Sequence, residues 1–125
     1  MNPGRLPGRR ERLALILERD GPWCVWCSAP LDSRLNVPTT EHLVPRIKGG
    51  PSWLENELAA CRRCNHERGH QSPAGWLREC EGLGRTPRHD VVIAALQRLD
   101  EAIRERGGQR RARPYITSQL RRLRA

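Results

Sequence analysis

Two C-x-x-C pairs constrain this chain more than any other feature: Cys24-Val25-Trp26-Cys27 and Cys61-Arg62-Arg63-Cys64. Two turns of this kind present four thiolates to one tetrahedral ion, and a four-cysteine set leaves no position open for a substrate. The expectation is a structural Zn²⁺ held by Cys24, Cys27, Cys61 and Cys64. It would fasten together the two ends of the insert at 28–60. A thioredoxin-like redox role explains one pair rather than two and needs a βαβ context that neither pair has. Cys80 is left over and reads as a buried apolar residue on a helix.

The chain needs such a staple. It has 125 residues, no Phe, 4% aromatic and 37% hydrophobic residues. That suffices for one domain with a modest core, and small cores lean on metals or disulfides. Twenty-three Lys and Arg face fourteen Asp and Glu, a formal net charge of +9. A basic balance favours polyanions, nucleic acid before an anionic membrane surface. Arg predominates, and its planar fork suits phosphate. No stretch approaches the length of a membrane span, and the run from Leu13 to Leu17 lacks a signal-peptide cleavage pattern. The expected setting is cytoplasmic, where paired cysteines bind metal more often than they form disulfides.

The expected domain is a single unit in three parts. Residues 1–22 give a loose arm, rich in Pro and Gly, and a helix from Arg9 to Arg19 stopped by Asp20-Gly21-Pro22. Residues 23–71 carry a strand or knuckle at Trp23 to Trp26 and a β-branched strand from Val37 to His42. A loop at Gly49-Gly50-Pro51, helical turns from Leu54 to Ala60, and a helix from near Cys61 to about Gly69 follow. Residues 72–125 form a basic helical extension. Ser72 caps a helix that Pro73 opens and that runs to about Gly82. Val92, Ala95, Leu96, Leu99 and Ile103 define one face of a helix from Arg88 to Arg106. A basic loop then leads to a last amphipathic helix from Pro114 to Arg124. Trp23, Trp26, Trp53 and Trp76 are assigned to the core. The fold class is α+β: a small ββα-type zinc module with added helices.

Between and beyond the cysteine pairs runs Thr40-Glu41-His42-Leu43-Val44-Pro45, Gly49-Gly50, Glu55-Asn56, then Cys64-Asn65 with Arg68-Gly69. Over about residues 24–70 this resembles the cysteine-bearing branch of the HNH endonuclease family. That family has an Asp-His pair followed by a proline, a Gly-Gly loop, a middle Asn, and a C-x-x-C running into His or Asn ahead of a basic residue. Each residue alone has a plain structural explanation. Their joint order and spacing carries the resemblance.

The resemblance implies a ββα-metal (His-Me finger) fold and a metal-dependent endonuclease hydrolysing DNA phosphodiester bonds with low sequence specificity. It implies His42 as general base, and Glu41 with the side-chain carbonyl of Asn65 as ligands of one catalytic ion. Oxygen donors of that kind suit Mg²⁺ or Mn²⁺. Asn56 would orient His42 or brace its loop, and Arg68 would contact phosphate. The family most often has Asp where this chain has Glu41, so the ligand is longer by about a bond length. The alternative is a noncatalytic zinc-dependent nucleic-acid-binding module. Small proteins that look like this occur in phage packaging and restriction, which suggests partners of that kind.

His66-Glu67-Arg68-Gly69-His70 also fits the zinc-protease pattern H-E-x-x-H. Gly69 weakens the required helix, and the segment is already used by Cys64, Asn65 and Arg68. His66 and His70 therefore read as surface or DNA-proximal residues. In the basic extension, Arg110, Arg111 and Arg113 are expected to add phosphate contacts, while Arg104 and Arg106 read as a solvated helix end.

Overall fold

A computed structural model of the protein describes residues 7–32 and 34–124. Most of the expected N-terminal arm therefore lies outside the described residues. Helix α1 (Arg9–Asp20) is followed by the first cysteine turn and by strand β1 (Pro38–His42). Short 3-10 turns at Arg46–Lys48 and Leu54–Asn56 lead into strand β2 (Glu57–Cys61), which passes directly into helix α2 (Arg62–Arg68). Helices α3 (Pro73–Gly82), α4 (His89–Arg106) and α5 (Ala112–Arg124) complete the chain. The class is α+β, as expected, and no helix of the described residues is long and apolar enough to cross a membrane.

The sheet is an antiparallel pair with Thr40 opposite Ala59 and His42 opposite Glu57. Both α1 and α2 pack on it, and every residue of β2 is buried. Here the structure corrects the sequence expectation. Only Leu54–Asn56 is helical, and the following residues are strand. Ala59 and Ala60 favour helix locally, but their backbones are claimed from elsewhere. The Ala59 carbonyl accepts from the Val25 amide at 3.0 Å, and the Ala60 carbonyl accepts from the Thr39 hydroxyl at 2.8 Å. Helix α1 is tied down by arginines. Arg12 pairs with buried Glu57 at 2.6 Å, and Arg19 donates to the Leu54 and Glu57 carbonyls at 3.1 and 2.8 Å.

The C-terminal helices follow their sequence signals. The Ser72 hydroxyl accepts from the Gly75 amide at 3.1 Å, capping α3. The expected face of α4 is buried at Val92, Ala95, Leu96, Leu99 and Ile103. Helix α5 begins two residues before Pro114, so Arg113 lies on the helix rather than in a loop. Proline is tolerated there because a first-turn residue has no intrahelical partner for its missing N–H. The tryptophans divide. Trp26 and Trp76 are core, but Trp23 is 45% exposed with Arg88 stacked on it at 5.6 Å. Trp53 packs under Arg106 at 4.5 Å. Arg106 is exposed at the end of α4, as expected, and pairs there with Glu55 at 2.6 Å.

The Gly-Gly loop serves two separate needs. Gly49 has φ +89°, a left-handed conformation that favours glycine. Gly50 is needed for proximity: a Cβ there would lie 1.8 Å from the Val44 carbonyl oxygen and 2.9 Å from Asn56 Nδ2. A Gly50→Ala chain should therefore lose about 2–4 kcal/mol of unfolding free energy in urea titrations, through displacement of Asn56 from the loop. A loss within about 0.5 kcal/mol would show that the loop has room to adjust.

Candidate active site and zinc centre

The four cysteine sulfurs lie within 4.8 Å of one another, with Cys27 and Cys61 at 4.0 Å. A tetrahedral Zn²⁺ with Zn–S near 2.3 Å sets sulfurs about 3.8 Å apart, so the donor set fits. The amides of Trp26 and Cys64 each point at a cysteine sulfur, at 3.4 Å. The Arg85 guanidinium reaches Cys64 Sγ at 3.5 Å. The hydrogen bond from Cys64 draws the Cys24 thiol down to about 5, and the same bond raises Cys64. Burial raises Cys27. Thiols this close ionise together only if a cation shares them. Cys80 is buried, as expected, and is not among the four.

Beside this centre, Thr40, Glu41, His42, Pro45, Arg46, Asn65, Gly69 and His70 line a cavity of ≈ 220 Å³. The end of β1 supplies Glu41 and His42, and α2 supplies Asn65. The Asn65 amide nitrogen donates to Thr39 Oγ1 at 3.0 Å and to the Thr40 carbonyl at 3.2 Å. These bonds use the nitrogen end of the amide and fix where its oxygen points. Glu41 is buried, and its carboxylate is gripped at both oxygens. One accepts from Arg68 at 3.1 Å and the other from the Trp26 indole N–H. Burial pushes the carboxyl up to about 7, against the pull of Arg68 and Trp26. Burial also lowers His42, helped by the cations of Arg46, Arg12 and Arg68 and opposed by Glu57, which leaves the imidazole neutral near pH 7.

Asn56 is fully buried and braces the loop. Its Oδ1 accepts from the Val44 amide at 2.9 Å, and its Nδ2 donates to the Val44 and Pro51 carbonyls at 3.1 and 2.9 Å. Of the two tasks expected for it, the bonds are those of bracing. Ser52 stands where an orienting residue is needed, with its hydroxyl 3.2 Å from His42 Nε2 and also accepting from Arg46 at 3.0 Å. Nothing in its sequence position beyond the Gly-Gly-Pro turn marks it for this.

Arg68 departs from its expected place. The resemblance implies a phosphate contact on the helix face shared with Asn65, three residues earlier, but its side chain is 1% exposed. Its guanidinium donates to Glu41, to the His42, Leu43 and Gln71 carbonyls at 2.8, 2.7 and 2.9 Å, and lies over the Trp26 ring at 5.1 Å. A group so fully engaged has no face left for phosphate. Arg110, Arg111 and Arg113 are exposed. Arg111 reaches the Ile47 carbonyl and so stands against the loop that carries Arg46. Among the described residues, none of the ion pairs involves Arg46, Lys48, Arg110, Arg111 or Arg113.

The H-E-x-x-H pattern does not form a metal site. Helix α2 ends at Arg68, Gly69 turns the chain away, and His70 is off the helix. Glu67 is paired with Arg85 at 2.6 Å. Among the described residues, the four cysteines are the one cluster of three or more metal-binding side chains. His70 is exposed, as a surface residue, and also lines the cavity.

Residues 24–80 match the HNH endonuclease family. The Type II-C Cas9 enzyme from Actinomyces naeslundii is structurally similar to 96% of the chain, with a TM-score of 0.57 and 20% identity. The similar part is 12% of that Cas9 chain, so the likeness is one of fold. No curated protein matches the chain. The HNH segment contains both cysteine pairs, the cavity residues and Cys80.

Structural zinc binds with free energies on the order of 10 kcal/mol, comparable with the whole stability of a small domain. Metal analysis of purified protein should give one zinc per chain. Cys61→Ser should abolish the cooperative thermal transition seen by circular dichroism; an unchanged melting curve without zinc would remove the staple from the account.

Proposed function

We propose that this chain is a metal-dependent endonuclease that hydrolyses DNA phosphodiester bonds, with His42 as general base. The observation that carries the reading is the cavity that collects an imidazole, a carboxylate and an amide in one place. The Ser52 hydroxyl, 3.2 Å from His42 Nε2, would hold the imidazole; in the tautomer that donates from Nε2, Nδ1 carries the lone pair that a general base needs to take a proton from water. Glu41 and Asn65 would hold one divalent ion, and two protein oxygens with water in the remaining positions suit Mg²⁺ or Mn²⁺. Such an ion supplies charge neutralisation at the phosphate and at the leaving oxygen. Arg46, Lys48 and the exposed Arg110, Arg111 and Arg113 draw the backbone toward the cavity without reading bases. Arg68 is assigned to positioning rather than to phosphate.

A second reading rests on the grip on Glu41. Each of its oxygens already accepts a hydrogen bond, from Arg68 and from Trp26, a purely structural role that a noncatalytic zinc-dependent nucleic-acid-binding module would allow. The two readings separate in a plasmid assay. The nuclease nicks or cuts with Mg²⁺ or Mn²⁺, stops with EDTA, and loses about 10²–10⁴-fold in rate with His42→Ala. Salt-sensitive binding with no cleavage in any metal would favour the binding module. Replacing Arg110, Arg111 and Arg113 by Ala should flatten the plot of log affinity against log salt by about three units. An unaltered slope would place the phosphates elsewhere.

A further inference from the structure

Both groups that grip Glu41 hang from the cysteine pairs. Trp26 lies between Cys24 and Cys27, and Arg68 ends the helix that carries Cys64. The first turn is docked on the sheet by the Val25 amide, which donates to the Ala59 carbonyl at 3.0 Å. Trp26 is fully buried, its amide faces Cys24 Sγ at 3.4 Å, and its indole N–H meets the Glu41 carboxylate. Its ring also backs the Arg68 guanidinium at 5.1 Å. One side chain on the zinc turn therefore touches both members of the buried Glu41–Arg68 pair.

We infer that Trp26 is a positioning residue for Glu41, through which the zinc turn sets the geometry of the divalent-ion ligand. The inference rests on the endonuclease reading and deepens it. A carboxylate oxygen has two lone pairs. One hydrogen bond at each Glu41 oxygen therefore does not exhaust either of them as a donor to an ion. The clamp fixes the carboxylate rather than consuming it. It also accounts for a glutamate at a position where aspartate is usual in the family: the added methylene spans the distance to an indole on one side and a guanidinium on the other. Partners of this kind, one step removed from a metal, typically change its affinity by about 10–100-fold when lost.

The test uses the zinc-loaded full chain and Mn²⁺ alone as probe, with free Mn²⁺ followed by its paramagnetic resonance signal. Trp26→Phe keeps the ring and removes the donor. It should retain one zinc per chain and bind Mn²⁺ about 10–100-fold more weakly. Glu41→Asp, which leaves Trp26 in place, should also weaken Mn²⁺ because the shorter side chain cannot meet both partners. Its result stands even if Trp26→Phe fails to fold. Mn²⁺ affinity equal to wild type in zinc-loaded Trp26→Phe, or equal or tighter affinity in Glu41→Asp, overturns the inference. A wild-type chain with no affinity for Mn²⁺ overturns the endonuclease reading itself.

Discussion

Four sulfurs within 4.8 Å of one another determine where the chain between them can go. The two cysteine pairs sit at the start and end of the segment that forms the sheet and most of the cavity lining. Closing them brings the first turn against β2 and starts α2 directly from the strand. A chain with no phenylalanine has little apolar area to do this by burial alone. Thiolate–zinc bonds are strong and local, so a thin core is sufficient once they form. With an ion bound, the segment at 24–80 would be held by metal first and by packing second, while α4 and α5 add a conventional apolar layer behind it.

Burying Arg68 would be costly without its partners. An unpaired charge in an apolar interior costs several kcal/mol, and breaking a buried pair typically costs about 3–5 kcal/mol. Here a carboxylate, three carbonyls and an indole face surround the guanidinium. Such a network adds less to net stability than its bond count suggests, since each group was also solvated in the unfolded chain. What it adds is definition. The end of β1, the end of α2 and the zinc turn each have one position that satisfies all of these bonds. Those three elements frame the cavity. A region that must hold an imidazole, an amide and a carboxylate in register gains more from this definition than from apolar packing of equal volume.

What the sequence revealed and what it concealed follow the range of the interactions. The cysteine set, the Ser72 cap and the buried face of α4 were legible because spacing within a few residues specifies them. His42, Glu41 and Asn65 were legible as a group because the order of the motif fixes which elements carry them. Strand β2 was not legible: Ala59 and Ala60 prefer helix, and only pairing with β1 and with Val25 makes them strand. Arg68 was misread for the same reason. Its spacing from Asn65 is a local fact, whereas its burial depends on acceptors contributed by a strand more than twenty residues earlier. Trp23 looks like a core residue until it is seen to lie exposed under Arg88, whereas Trp53 packs against the core with Arg106 over its ring.

The net charge of +9 takes its meaning from the same distinction. Arg12, Arg19, Arg68, Arg85 and Arg106 are each paired with an acid that cancels their charge locally. They add to the count of positive residues but not to the outward field. Arg111 reaches the Ile47 carbonyl, and its Cβ lies 2.7 Å from where a Cβ on Gly49 would stand. That close approach, permitted by glycine, joins the turn before α5 to the loop that lines the cavity with Arg46. Residues far apart in sequence thereby form one cationic surface beside His42. Long-range attraction depends on charges that acids do not cancel and on where they converge. A chain of the same composition with its arginines scattered would repel itself equally and draw a polyanion to no particular place.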